Sequence, residues 1–360
     1  MNDWVSHEAL LAEGYRRCAK ITWRYGTTYF WGAALLPTPQ RKDVYAVYAL
    51  CRLADDIVDL PDGASTSSAR VSGTGSAQIS DDSGASTSSV HISQDSDAVP
   101  AEPDPTLPDD TDQQAAVSAQ LKTFAEEFRA SLATGGTTDP VMAAVVHTVI
   151  TRRIDPECFD RFFDAMAMDL TTTTYQTWED LRDYMEGSAA VIGEMMLPVL
   201  EPMSEEAKAP ARSLGLAFQL TNFLRDVGED LDRGRIYLPQ DDLRLFGVVP
   251  ERRVVTPEWR AFLAYEIERN RALYSFADTG ISMLPPRSAR CVGTARVLYS
   301  QILDEIERNG YDVFSDRARV PTWRKAATAA RIMVTGPRVL KRQAEAYQRR
   351  SMIDVTQDTY

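Results

Sequence analysis

The residues most suited to chemistry form two polar stripes, each ending in a pair of aspartates four residues apart. In the first stripe, four side chains are spaced i, i+4, i+7 and i+11: Tyr48, Arg52, Asp55 and Asp59. At 3.6 residues per helical turn, these side chains project from nearly the same face. Carboxylates four residues apart on a helix repel each other, and burial without a partner would cost far more. We therefore expect a cation beside this pair.

The second stripe repeats the pattern on an otherwise apolar helix, with Gln219, Asn222, Asp226 and Asp230 at i, i+3, i+7 and i+11. Mg²⁺ prefers oxygen ligands and is commonly shared between one or two carboxylates and a substrate phosphate. Two such stripes facing each other would therefore hold a diphosphate through bridging metal ions. A calcium-binding loop is disfavoured, because neither segment alternates ligands with glycine in the required pattern.

Several arginines lie beside the acidic pairs, namely Arg52, Arg225, Arg233 and Arg235. They matter because a phosphate cannot approach bare carboxylates. The alternative interpretation is that each acidic run is a solvated helix face. Two stripes with matching spacing, each on an apolar helix, favour the metal site.

Composition excludes several classes of protein. The 360 residues carry a net charge of −13, which is unsuited to binding nucleic acid. The apolar runs are too short to cross a bilayer, and the first residues lack a secretory signal, so we expect a cytoplasmic protein. The four cysteines and three histidines are scattered, which predicts neither a disulfide framework nor a zinc site.

Residues 61–114 differ from the rest of the chain. They contain twelve serines, ten acidic residues and one basic residue, but no aromatic residue. Such a segment cannot bury enough apolar surface to offset its chain entropy, so we predict a disordered Ser/Asp-rich insertion. Residues 1–60 and 115–360 would then form one domain.

The remaining sequence predicts helices, because apolar residues recur at three- and four-residue spacing. Strand-like alternation is absent over any useful length. The fold class is therefore all-α, a single helical bundle. The predicted helices are Leu10–Trp23, Lys42–Asp59, Ala116–Leu132, Pro140–Arg153, Glu157–Leu170, Glu179–Leu197, Ala211–Asp232, Glu258–Phe276, Ser288–Asn309 and Trp323–Gln348.

Two long segments resemble the signatures of the squalene/phytoene synthase family: RKDVYAVYALCRLADDIVD (Arg41–Asp59) and QLTNFLRDVGEDLDRGRIYLP (Gln219–Pro239). Three further segments agree with the family in order and spacing, at Tyr25–Pro37, Tyr184–Pro198 and Tyr299–Arg317. The resemblance covers nearly the whole chain outside residues 61–114. Within the family, it is strongest to the bacterial phytoene synthases.

This resemblance implies an isoprenoid-synthase-type bundle around a central cavity. It also implies head-to-head condensation of two geranylgeranyl diphosphates to phytoene via prephytoene diphosphate, in carotenoid biosynthesis. The expected cofactor is Mg²⁺, with Mn²⁺ as an alternative. NADPH is not expected, since no GxGxxG motif follows a strand. Two alternatives stay open: a thirty-carbon synthase that makes presqualene diphosphate or dehydrosqualene from farnesyl diphosphate, and a non-catalytic assembly protein.

The resemblance also assigns roles to individual residues. The metal ligands would be Asp55, Asp59, Asp226 and Asp230. The substrate-binding residues would be Tyr29, Arg52, Gln219, Asn222, Arg225 and Arg317. The catalytic residues would be Tyr48, Tyr184 and Tyr299. One departure weakens the assignment of Arg317, because Asp316 stands where many relatives have a second basic residue.

Two finer expectations concern the lipid-like substrate. The small residues Gly32 and Ala33 would leave room for a twenty-carbon tail, so Ala33→Phe should shorten the product. Residues 317–350 contain ten basic residues and one acidic residue. This stretch could attract an anionic leaflet and give peripheral membrane contact, although a solvated cationic helix is an equal alternative.

Overall fold

The computed structural model describes residues 2–26, 30, 32–59, 110–315 and 317–335. Within these ranges the regular structure is helical, apart from an isolated bridge between Thr174 and Ile236. The α-helices are α1 (Asn2–Tyr25), α2 (Thr38–Asp59), α3 (Asp110–Thr134), α4 (Pro140–Arg152), α5 (Glu157–Met168), α6 (Trp178–Met185), α7 (Val191–Leu200), α8 (Lys208–Arg225), α9 (Val227–Asp232), α10 (Gln240–Phe246), α11 (Pro257–Ile281), α12 (Pro286–Arg308) and α13 (Thr322–Thr335).

Two hydrophobic clusters hold the helices together. One is built around α2, α4 and α5 and includes the fully buried Phe159 and Phe162. The other is built around α8, α11 and α12 and includes Trp259, Phe262 and Tyr274. Burial of such large side chains supplies most of the stabilising free energy of an all-helical domain. The predicted all-α bundle is confirmed.

Several helix starts follow local sequence signals. Asp139 caps α4 by accepting a hydrogen bond from the Met142 amide, and Pro140 occupies the first turn, where its missing N–H costs nothing. Thr177 and Asp180 form a reciprocal capping box at the start of α6. The second of these caps fixes where the helix that carries Tyr184 begins.

The structure differs from the predicted helices in several places. The predicted helix Ala211–Asp232 is divided at Asp226, whose φ of −102° and ψ of 13° leave the helical region. The predicted helix Glu179–Leu197 is α6 and α7 joined by a π-helix at Glu186–Ala190. Helix α10 was not predicted, because its seven residues are too few to show a hydrophobic period.

The chain termini and the predicted insertion lie mainly outside the described residues. Helix α3 begins at Asp110, four residues before Gln114, the predicted end of the insertion. Residues 60–109 and Tyr29 lie outside the described ranges, as does the predicted helix beyond Thr335. No helix in the described part of the chain is both long and apolar enough to cross a bilayer.

Candidate active site

A polar cavity of about 950 Å³ lies between α2 on one side and α8 and α9 on the other. Both aspartate stripes face it, as expected from their spacing. Seven arginines and six carboxylates line it, so its charges nearly cancel. When all six carboxylates are ionised, an anionic ligand alone would therefore gain little attraction, whereas an anion that enters with divalent cations would keep the balance.

The two aspartates of the first stripe have different surroundings. Asp59 is paired across the cavity with Arg235 at 3.2 Å and Arg233 at 3.6 Å. Asp55 has lost most contact with bulk water, and this desolvation raises its pKa to about 7. Arg52 opposes the rise in the pKa of Asp55, while Asp59 adds to it.

The second stripe divides in the same way. The Arg225 guanidinium donates to both oxygens of Asp226, at 2.6 and 2.5 Å, and Arg317 donates to the same carboxylate at 2.7 Å. Desolvation raises the pKa of Asp230 to about 7, and the neighbouring charge of Asp226 adds to the rise. Each stripe thus has one arginine-paired carboxylate and one partly buried carboxylate with a raised pKa, which retains a proton more readily.

The donor set suits a hard divalent cation. It consists of carboxylate oxygens together with the Asn222 amide, whose buried Oδ1 has no hydrogen-bond partner. A cation beside Asp55 and Asp230 would stabilise their ionised forms. In the described part of the chain, no three acidic, histidine or cysteine side chains converge on a common point as a ready-made metal site.

Tyr48 and Arg52 are fixed by contacts with the end of α1. A Cβ added to Gly26 would lie 2.5 Å from the Tyr48 ring, so the ring packs against backbone that only glycine leaves accessible. The Arg52 guanidinium lies 4.6 Å from the centre of the Tyr25 ring and forms an ion pair with Asp56. Contacts with Gly26, Tyr25 and Asp56 therefore fix the positions of Tyr48 and Arg52 in the first stripe.

Aromatic rings form the cavity wall between the two stripes. Tyr184 is buried, with its ring centre 5.2 Å from that of Tyr175 and 6.0 Å from that of Tyr237. Tyr237 in turn stacks on Phe223 at 4.0 Å. Burial raises the pKa of Tyr184 and Tyr237 far above the ordinary value, so both phenols stay protonated at neutral pH.

The sequence analysis missed Asp169, a fifth aspartate in the cavity. It accepts a hydrogen bond from the Tyr237 hydroxyl at 2.8 Å and pairs with Arg235 at 3.3 Å. Because Arg235 also contacts Asp59, a chain of polar contacts joins the first stripe to the aromatic wall. Tyr237 and Arg235 belong to the second signature, but Asp169 follows α5 alone, without any repeated spacing that could have signalled it.

A second, apolar pocket of about 170 Å³ continues from the polar cavity. The two share the wall residues Ile192, Met196, Gln219 and Asn222. Gly32 lines this pocket, as expected. Ala33 is buried but is not among the lining residues, so it is not the position at which to change the pocket.

Twelve of the thirteen predicted site residues line the one polar cavity, and the thirteenth, Tyr29, is outside the described ranges. The twelve are Tyr48, Arg52, Asp55, Asp59, Tyr184, Gln219, Asn222, Arg225, Asp226, Asp230, Tyr299 and Arg317. Their side chains come from five separate segments, and the fold brings them together. Their individual roles stay predictions.

Known proteins resemble this chain in both sequence and fold. The squalene/phytoene synthase family profile matches residues 23–79 and 105–324. A phytoene synthase of Arthrospira platensis is 33% identical over 333 residues, which cover 88% of this chain and 91% of that protein. A 15-cis-phytoene synthase of Synechococcus elongatus is 32% identical, with the same two coverages.

Solved structures show the same fold. A dehydrosqualene synthase superimposes with a TM-score of 0.71 over 90% of this chain and 96% of that one, at 22% identity. A squalene synthase of Alicyclobacillus acidocaldarius gives a TM-score of 0.63 at 27% identity, over 84% of this chain and 96% of that one. The matched residues include both aspartate stripes, and the chain belongs to the squalene/phytoene synthase family.

Proposed function

We propose that this protein is a phytoene synthase, a prenyltransferase that joins two geranylgeranyl diphosphates head to head through prephytoene diphosphate. The observation that carries the proposal is the junction of a charged cavity with an apolar pocket. The charged end suits a diphosphate and the apolar end suits a prenyl tail. Relatives named phytoene synthase, which match over most of the chain, support this choice within the family.

The aspartates would hold Mg²⁺ or Mn²⁺, which when bound would neutralise negative charge on the leaving diphosphate. Asp55 and Asp59 would act from one wall, and Asp226 and Asp230 from the other. Gln219 and Asn222 would orient the diphosphate at the point where the cavity meets the apolar pocket. Arg52, Arg225 and Arg317 would contact phosphate oxygens, because the guanidinium fork matches their geometry.

The aromatic wall would protect the allylic cation that forms when diphosphate departs. Ring faces attract a cation without attacking it, and a buried site keeps water away. Tyr48, Tyr184 and Tyr299 would line this region. Since burial raises the pKa of both Tyr48 and Tyr184, these two hydroxyls serve better as hydrogen-bond donors than as bases. The departed diphosphate is then the better acceptor for the final proton, and no NADPH is required.

The direct test is incubation of the purified protein with Mg²⁺ and either geranylgeranyl or farnesyl diphosphate, followed by mass analysis of the products. We expect phytoene from the twenty-carbon substrate and at least tenfold lower kcat/KM for the fifteen-carbon one, roughly the effect of leaving several methylenes of an apolar pocket unfilled. Dehydrosqualene or presqualene diphosphate as the main product would instead establish the thirty-carbon alternative. No product from either substrate would contradict both.

The apolar pocket can be tested by narrowing it. Leu214 lines the pocket and is only partly buried, so Leu214→Phe should fit while reducing the space for the tail. We expect the preference for the twenty-carbon substrate to fall. Leu245→Phe on the exposed surface of α10 is the matched control. An unchanged ratio of kcat/KM values for the two substrates in Leu214→Phe would refute the assignment of this pocket to the tail.

We also propose a cytoplasmic protein in peripheral contact with lipid. Two strongly exposed tryptophans, Trp23 at 63% and Trp323 at 70%, lie next to segments that line the cavity. Exposed tryptophans beside arginines such as Arg24 and Arg319 suit a bilayer surface. Binding to anionic vesicles should weaken in Trp23→Ser/Trp323→Ser but not in the equally exposed control Leu245→Ser. Equal vesicle binding by the wild type, the double tryptophan variant and Leu245→Ser would show that the two tryptophans do not form the lipid contact.

A further inference from the structure

The π-helix at Glu186–Ala190 lies in the wall between the two cavities. Its distinguishing hydrogen bond runs from the Val191 amide to the Glu186 carbonyl, five residues back. Ser188 lines the polar cavity and Ala189 lines the apolar pocket. Single π-turns are rare and occur often at functional sites, so the cause of this one bears on the chemistry.

The π-turn changes which side chains share a face. In an uninterrupted α-helix, residues eight positions apart differ by about 80° around the axis, at about 100° per residue. One inserted residue makes eight positions equivalent to about seven, which brings such pairs within about 20° of each other. Tyr184 and Ile192 are such a pair, and both line the polar cavity.

A second pair with the same spacing, Glu186 and Glu194, meets one arginine. The Arg212 guanidinium of α8 contacts Glu186 through one terminal nitrogen and Glu194 through the other. In a regular α-helix these two carboxylates would diverge, so a single guanidinium would not reach both. The double contact therefore depends on the π-turn, and it also stabilises that turn.

Glu194 is anchored by two further cations. Arg161 of α5 contacts it at 3.0 Å and Lys208 of α8 at 2.9 Å. Burial raises the pKa of Glu194, but the hydrogen bonds from these cations outweigh it and lower the pKa to about 2. Gly187 keeps the π-helix close to α5, because a Cβ there would lie 2.6 Å from the Cβ of Ala165. Contacts that do not involve Arg212 therefore also hold Glu194 and the π-helix in place.

We infer that Arg212 is a positioning residue: by holding Glu186 and Glu194 together, it maintains the π-turn that places Tyr184 and Ile192 on the same cavity wall. Arg212 itself is absent from the residues that line either cavity. The inference rests on the proposed function, because Tyr184 is placed in the reaction there. Loss of the guanidinium would let the turn relax toward a regular α-helix and rotate Tyr184 away from its place.

The test compares Arg212→Gln with Arg271→Gln. Arg271 is the matched control, since it is similarly exposed and also bridges carboxylates, Glu268 and Glu307, but is not among the cavity residues. In Arg212→Gln we expect kcat to fall about tenfold while KM changes less than about twofold, because small displacements of reacting groups lower rate constants at this scale. In Arg271→Gln we expect both constants to stay unchanged.

Hydrogen exchange provides a second measurement that does not depend on catalysis. Amides of residues 188–194 should exchange faster in Arg212→Gln than in either the wild type or Arg271→Gln. Glu186→Gln should reproduce both effects, and the double variant with Arg212→Gln should be no worse than either single change. Unchanged exchange, unchanged kcat or additive losses would overturn the inference. Full activity of Tyr184→Phe would instead contradict the proposed role of Tyr184, while the exchange result would still test the clamp.

Discussion

The two aspartate stripes solve the same electrostatic problem with different neighbours. Each has one carboxylate paired with arginines, Asp59 or Asp226, and one partly buried carboxylate with a raised pKa, Asp55 or Asp230. The arginines that pair with Asp59 reach it from the opposite signature, across the cavity. Asp226 is instead paired with its own neighbour, Arg225, and with the distant Arg317.

The contacts of Asp59 show that ion pairs, as well as hydrophobic packing, join the two sides of the cavity. Arg233 and Arg235 follow Asp230 in the chain yet contact Asp59 of α2. The second signature therefore supplies its own carboxylates and the cations for the first. A substitution in one stripe should therefore also affect the carboxylates of the other stripe, and the size of this effect should differ between the two stripes.

The largest effect should come from removing the aspartates themselves. We expect Asp55→Ala and Asp226→Ala each to lower turnover by about a hundredfold or more, since ionisation of the substrate needs its negative charge neutralised. Asp226→Ala should be the more severe, because it also leaves Arg225 without its carboxylate partner and Arg317 with only its longer contact to Glu229, at 3.5 Å. Asp232→Ala, which removes a surface ion pair with Arg253, is the control. Steady-state rates measure all three, and intact turnover in Asp226→Ala would refute the site.

A next effect concerns pH. The pKa values of Asp55 and Asp230 are about 7, so both must release protons when a divalent cation binds. As the pH increases toward about 7, the affinity for Mg²⁺ should rise by up to about tenfold per pH unit for each proton released. Calorimetric titration of Mg²⁺ in the presence of inorganic diphosphate, in buffers of different ionisation enthalpy, counts the protons released, and the same titration of Asp55→Asn/Asp230→Asn gives the number that comes from diphosphate itself. An affinity independent of pH between 6 and 8 would contradict the assignment.

Substitution of an arginine that pairs with an aspartate should affect kcat/KM differently in the two stripes. Arg235→Gln removes a cation that contacts both Asp59 and Asp169, and these carboxylates have little other neutralisation apart from the more distant Arg233. Arg317→Gln leaves Asp226 paired with Arg225. We expect kcat/KM to fall about tenfold further in Arg235→Gln, because breaking one partner of a buried pair leaves an uncompensated charge. Equal losses in the two variants would show that the pairings are equivalent.

The smallest effect should be on stability. The folded-state pKa of Asp230, about 7, lies above its ordinary value of 3.8, so between these pH values the folded protein binds more protons than the unfolded one. Stability from this group therefore falls as pH rises through that window. Metal-free Asp230→Asn should match the wild type near pH 4 and melt a few degrees higher, roughly 2–4 °C, at pH 8. Thermal unfolding checks this, with the exposed Asp232→Asn expected to show no such gain.

Repeated spacing made much of the site predictable. Asp55 and Asp59, like Asp226 and Asp230, recur at helical intervals among apolar residues, and such a pattern fixes a shared face before any tertiary contact forms. The same periodicity predicted the all-α bundle. Asp169 and Ala33 show the limit, because a single residue without a periodic partner does not indicate which surface it will face.

Local backbone departures were also beyond the sequence pattern. The break at Asp226 and the π-turn at Glu186–Ala190 both interrupt segments whose apolar spacing is that of a continuous helix. Each interruption is accompanied by a contact between helices or segments that lie apart in the chain, with Arg317 at Asp226 and with Arg212 at Glu186. Contacts over such sequence separations form only when the helices pack.

The sequence by itself determined the helices, the two acidic stripes and the chemistry for which their residue types are suited, because helical period and side-chain charge are local properties. Only the tertiary structure decided which aspartate of each stripe is paired with arginine and which has a raised pKa, and that an apolar pocket opens from the charged cavity. Those outcomes depend on which cation approaches which carboxylate and on how much water is excluded. Both are set by the packing of helices that lie far apart in the chain.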